Sequence, residues 1–282
     1  MIAELIDRKR LKADARALLA DAQVSPKGMV ALYLGLALVL SMLVSFSGGA
    51  GLLSTFVSIL TTLLGWVLSA GFVLYCMAVR RGERAEYLTL FDGFSFVGKL
   101  IGLNIVMYIF IWLWSLLFLI PGIVAAYRYR FALYNLYENP GIGIMEALNM
   151  SKRQTLGYKG QLFMLDLSYI GWNLLGSIPA MVYTGAIYWD LMQTVLAYAG
   201  GTPQSFPAAT AAYLGLPDWG WTLVIGLWSL AAALFYLANY QCVELGYFET
   251  AKRTSGAGEG AAPRQDEAPW SSGMGPDGLG GF

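Results

Sequence analysis

Residues 121–137 read PGIVAAYRYRFALYNLY, and the number of times the chain crosses a membrane turns on them. A hydrocarbon core of about 30 Å needs about 20 apolar residues as a helix, so this stretch is barely long enough, and it carries Arg128 and Arg130. Its flanks nevertheless require it to cross. The plain apolar runs lie at 28–46, 52–79, 97–120 (with Lys99 near its start), 162–178 and 219–243. Cytoplasmic loops hold the excess of Lys and Arg. Sixteen of the 18 fall in residues 1–27, 80–99, 152–159 and 250–282. Lys99 and Lys152 share the cytoplasmic side only if an even number of crossings separates them, and the run 97–120 supplies one. Residues 121–137 supply the other. The expected fold is all-α, a polytopic membrane bundle of six transmembrane helices, with N and C termini cytoplasmic and a tight outer turn at Pro121-Gly122.

Composition agrees with a membrane protein. Of 282 residues, 57% are hydrophobic and 13% charged, against about 45–50% and about 25% in soluble domains. Lys plus Arg and Asp plus Glu are both 18, so no global positive field draws nucleic acid. The chain has no histidine, which excludes His-based triads, the HExxH zinc motif and the usual proton shuttle near neutral pH. Cys76 and Cys242 each end an apolar run, which is not a disulfide framework. Gly157-Tyr158-Lys159-Gly160 lacks P-loop spacing, and no Gly-x-Ser-x-Gly occurs. No catalytic residue, metal site or cofactor is expected, and the chain is read as not an enzyme.

Outside the spans, residues 1–27 form a mixed-charge helix whose Leu5, Ile6, Leu11, Leu18 and Leu19 can rest on the cytoplasmic membrane surface. After Asn139-Pro140, residues 141–156 read as a cytoplasmic amphipathic helix, with Ile144, Met145 and Leu148 on one side. Lys152 and Arg153 near its end suit anionic lipid headgroups or a soluble partner. These elements flank a membrane domain of residues 28–249. Residues 179–218 have no basic residue and many aromatics, as an extracellular insertion would. Residues 250–282 read as a disordered cytoplasmic tail, with eight Gly and three Pro in its last 29 residues.

Charges within a span mark a partner or a polar cavity. At 1.5 Å per residue, Arg130 lies about 13 Å and Arg128 about 16 Å from the cytoplasmic boundary, with Asp166 about 10 Å and Glu244 about 12 Å deep. The four share one layer. Either they form a buried ionic cluster facing a cavity or the bundle interior, or Arg130 snorkels to the headgroups along Tyr134 and Tyr137. Tyr127, Arg130, Tyr134 and Tyr137 recur at helical spacing on one face, with Arg128 and Asn135 on another. That face either takes a lipid or amphiphile or packs as an interfacial belt.

Several short motifs occur in order: Arg81-Gly82-Glu83, Leu90-Phe91-Asp92-Gly93-Phe94, Leu119-Ile120-Pro121-Gly122-Ile123, Glu138-Asn139-Pro140, Glu146-Ala147-Leu148 with Ser151, and Leu167-Ser168-Tyr169-Ile170-Gly171-Trp172. Together they resemble the bacterial integral-membrane family known as domain of unknown function 975, over most of residues 11–250. The last span departs from it, with Asn239-Tyr240 where the family has Pro-Tyr, and 179–218 is inserted where the family has a short connection. The resemblance implies a multi-pass protein of the bacterial plasma membrane without an assigned activity. Two functions then stand open. One is a non-enzymatic accessory or scaffold protein engaging another membrane or envelope protein through its cytoplasmic helices. The other is a transporter or lipid-binding protein using the Arg128, Arg130, Asp166 and Glu244 layer.

Overall fold

A computed structural model describes residues 4–47, 51–199 and 217–258, and these are all-helical. Asp7 caps α1 (Arg8–Ala20) by accepting from the Lys9 and Arg10 amides. Ser25 caps α2 (Pro26–Phe46), with Pro26 in the first turn, where a missing N–H is harmless. Helix α3 (Leu52–Arg81) stops at Gly82, whose φ of 68° is the left-handed stop that glycine adopts without strain. A 3-10 segment (Tyr87–Phe96) leads into α4 (Val97–Leu117), followed by α5 (Leu119–Tyr129), α6 (Ala132–Glu138), α7 (Ile144–Gln154), α8 (Lys159–Ala199) and α9 (Asp218–Ser255).

Among the described residues, four helical stretches are long and apolar enough to cross a membrane: Pro26–Phe46, Leu52–Arg81, Tyr87–Leu117 and Asp218–Ser255. Helix α9 is the central post, packing against α1, α2, α3, α7 and α8. The core gathers at the basic end of the bundle, in Val67 to Val79 of α3, Leu100 and Leu103 of α4, Leu162 and Leu165 of α8, and Cys242 to Phe248 of α9. Towards the other end the same helices leave Phe46, Phe56, Trp112, Leu116 and Trp219 exposed, a surface that hydrocarbon covers without cost. One close approach fixes the 3-10 segment. A Cβ on Gly71 would lie 1.9 Å from the Leu90 carbonyl oxygen.

The structure corrects the sequence reading in four places. The turn before residues 121–137 is not Pro121-Gly122. A single extended residue, Phe118 (φ −162°, ψ 153°), makes it, and Pro121 and Gly122 lie inside α5, with Gly122 so close to Ser115 that a Cβ would come within 2.1 Å of its hydroxyl. Nor are residues 121–137 one helix, because the chain breaks at Arg130 and Phe131. Ser151 of α7 enters the break, accepting from the Phe131 amide at 3.1 Å and donating to the Arg128 carbonyl at 2.9 Å.

The third correction concerns Pro179, which does not end the helix begun at Lys159. Proline at 179 frees the carbonyl of Leu175 four residues earlier, and the Trp228 indole of α9 donates to that carbonyl at 2.8 Å. Residues 179–199, expected in an extracellular insertion, are therefore the second half of α8. Fourth, the apolar side of α1 faces protein, with Leu19 buried and Ile6, Leu11 and Leu18 packed against the core. Leu5 alone of the five is fully exposed, at 91%. In α7 the buried positions are Ala147, Leu148, Ser151 and Gln154, while Met145 is exposed. Residues 48–50 of the first turn, 200–216 of the insertion and 259–282 of the tail lie outside the described residues.

Candidate functional site

Three helical elements converge on Arg130. The break after α5 carries it, α8 brings Asp166 about two turns inside its start, and α9 brings Tyr240 and Glu244 at i and i+4, hence on one face. Arg130 donates from Nε to Glu244 Oε1 at 2.6 Å, from one terminal nitrogen to Asp166 Oδ2 at 2.6 Å, and from the other to Asp166 Oδ1 at 2.9 Å and to the Tyr240 hydroxyl. Four of its five N–H groups are thus engaged. The paired geometry on Asp166 is the bidentate form in which arginine binds carboxylate most strongly.

The carboxylates are held from both sides. Tyr127 donates to Asp166 Oδ2 at 2.6 Å and Tyr240 donates to Asp166 Oδ1 at 2.7 Å. Glu244 is 5% exposed, Arg130 18% and Asp166 31%. Glu244 therefore depends on Arg130 for its counter-charge, and the group as a whole carries one net negative charge. Its single cation is committed to the two carboxylates. What it does chemically is bind α5, α8 and α9 together.

The other residues singled out from sequence are placed elsewhere. Arg128 does not join the cluster. Its side chain is half-buried without an ion-pair partner among the described residues, and only its backbone carbonyl is used, by Ser151 and Thr155 of α7. Tyr134 is buried and accepts from Gln241 at 2.9 Å. Tyr137 packs on Phe96 with ring centroids 5.8 Å apart. Neither lines an open ligand face with Tyr127. Asn135 forms a buried reciprocal amide pair with Gln154, at 2.8 Å in both directions. Lys152 donates to Asn149 at 3.1 Å, and Arg153 is exposed at the end of α7. Sequence reasoning missed Tyr240, Ser151 and Gln154 as members of these networks. Tyr240 was the discoverable one, since its spacing from Glu244 places both on one helical face.

A ring of further ion pairs closes the basic end. Arg80 grips Glu249 at 2.5 and 2.9 Å and donates to the Cys242 carbonyl. Glu138 receives Arg81 at 2.8 Å and Lys252 at 2.6 Å. Lys99 donates to the carbonyls of Pro140 and Gly141 at 2.6 and 3.0 Å. Arg253 reaches Glu4 at 3.4 Å.

No curated protein and no solved structure matches the chain. The resemblance carried by the motifs is borne out across the segment that builds the Arg130 site: residues 116–253 match the model of the family described as protein of unknown function (DUF975).

Proposed function

We propose that this is a non-enzymatic accessory or scaffold protein of the bacterial plasma membrane, engaging another membrane or envelope protein through its cytoplasmic face. The observation that carries the reading is the saturation of Arg130 by Asp166 and Glu244. Passage of a substrate through this layer would require Arg130 to release a carboxylate that has no other cation beside it. A locked layer suits a rigid platform better than a transport path.

The topology in this reading is six crossings with both termini cytoplasmic. Support comes from Lys99, whose contacts with the 140–142 backbone put the start of α4 beside the end of α6. In this reading the chain leaves through α4 and returns through α5 and α6, and it does the same through α8 and α9, whose end meets Glu4. The exposed end of α7, with Lys152 and Arg153, is the partner-facing surface.

The test is site-specific photocrosslinking from position 153 in living cells, followed by purification in mild detergent. A defined protein adduct that disappears when Lys152→Glu and Arg153→Glu are combined supports the platform. Solute flux in proteoliposomes that Arg130→Ala abolishes, with helicity retained, overturns it in favour of transport.

A further inference from the structure

The cations of α1 are arranged in a way that its own helix opposes. Arg8, Lys9, Arg10 and Lys12 crowd the N-terminal turns, with no acidic residue in the first turn, although a helix N-terminus favours negative charge. Arg8, Lys12 and Arg16 recur every fourth residue and so form one ridge. Burial, and next Arg8 and Arg16, hold the Lys12 ammonium below the usual lysine range. Asp7, the carboxylate next to Arg8, is engaged in capping the helix.

This ridge borders a groove of about 730 Å³ between the N-terminal segment, α1 and α8. Arg8 and Lys12 cross its wall, donating to the Met164 carbonyl at 2.8 Å and the Ser168 hydroxyl at 2.9 Å. Tyr247 of α9 lines the same groove. Its side chain is fully buried and its hydroxyl has no hydrogen-bond partner among the described residues, which native structures rarely tolerate. Arg8 and Asp7 are the charged groups beside it. Next to these polar groups, Leu5 and Met164 present exposed apolar side chains at 91% and 42%. The lining thus joins cations, a free hydroxyl donor and an apolar margin. That is the complement of a phosphate ester with an acyl chain.

We infer that the α1–α8 groove binds one anionic phospholipid, its phosphate held by Arg8 and Lys12, an ester or phosphate oxygen accepting from Tyr247, and an acyl chain lying along Leu5 and Met164. The site rests on the membrane reading above but not on the accessory role. Binding fixes α1 against α8 and makes docking of the first helix dependent on the surrounding lipid.

The test is native mass spectrometry of the full-length protein in mild detergent, titrated with dioleoyl phosphatidylglycerol or dioleoyl phosphatidylcholine. Wild type retains phosphatidylglycerol in preference to phosphatidylcholine. At about fivefold per cation, Arg8→Gln with Lys12→Gln weakens phosphatidylglycerol binding about 25-fold, and Tyr247→Phe weakens it about threefold to tenfold. The pair Arg8→Lys with Lys12→Arg keeps the charge and the binding. Should the glutamine pair fail to fold, Tyr247→Phe against the charge-preserving pair decides the matter. Equal retention of both lipids, or unaltered binding in Tyr247→Phe and in a folded glutamine pair, overturns the site. Displacement of the lipid by millimolar inorganic phosphate overturns the lipid in favour of free phosphate. Lys152→Glu with Arg153→Glu leaves lipid retention unchanged, so failure of the accessory role and failure of this site are read separately.

Discussion

Arg130 and Arg128 sit two residues apart in one apolar run, yet removing their charges has unequal consequences. Arg130→Gln leaves Glu244 buried without a cation, and loss of one partner from a buried pair costs about 3–5 kcal/mol. Thermal unfolding in detergent shows this as a large drop for Arg130→Gln that adding Glu244→Gln partly reverses, whereas Arg128→Ala changes stability by no more than about 0.5 kcal/mol. Additive losses from Arg130→Gln and Glu244→Gln contradict the pairing. The sequence reading set all four charges in one layer, and only the assignment of faces pointed towards the contrast. Helical spacing set Arg130 with Tyr127 and apart from Arg128, and the depths of Asp166 and Glu244 matched it. That Arg128 lacks an ion-pair partner among the described residues was not legible, because spacing says which residues share a face but not what stands opposite it.

Two helices depend on side chains that reach them from elsewhere in the chain. The break between α5 and α6 is held by Ser151, and Ser151→Ala strips the Phe131 amide of its partner in a buried setting, at about 1–3 kcal/mol. Chemical denaturation of that variant, compared with Ser151→Thr, which keeps the hydroxyl, measures it. Helix α8 passes through Pro179 because Trp228 satisfies the Leu175 carbonyl. Trp228→Phe therefore costs about 0.5–1.5 kcal/mol in the native chain. It costs less in a Pro179→Ala background, where the restored amide takes the carbonyl. Equal costs in the two backgrounds would break the link. Both features escaped the sequence for one reason. A proline marks a helix end when the freed carbonyl has only local options, and here the donor lies 53 residues away. The positions of the apolar runs, which follow from composition alone, were legible in outline, though their ends were not.

At the scale of the bundle, order is concentrated where the charges are. Cys76 of α3 and Cys242 of α9 are both fully buried, far apart in sequence and brought into one core by the packing of these helices. A membrane-permeant maleimide therefore labels them only as fast as α3 and α9 separate. Labelling that tracks global unfolding in denaturant is expected, and rapid labelling under native conditions would show that the core opens locally. The same end joins the early and late parts of the chain. Glu4 donates its amide to Tyr158 and pairs with Arg253, Tyr158 also meets Thr254, and α1 lies along α9. Seen in time, α1 leaves the ribosome well before the helix it seats against. At roughly 5–20 residues per second, roughly 10–50 s separate the synthesis of α1 from that of the end of α9. Through that interval α1 has no finished surface to dock on. Its seating then marks a chain made at least through α9, and a chain stopped before α9 would leave α1 open to proteolysis.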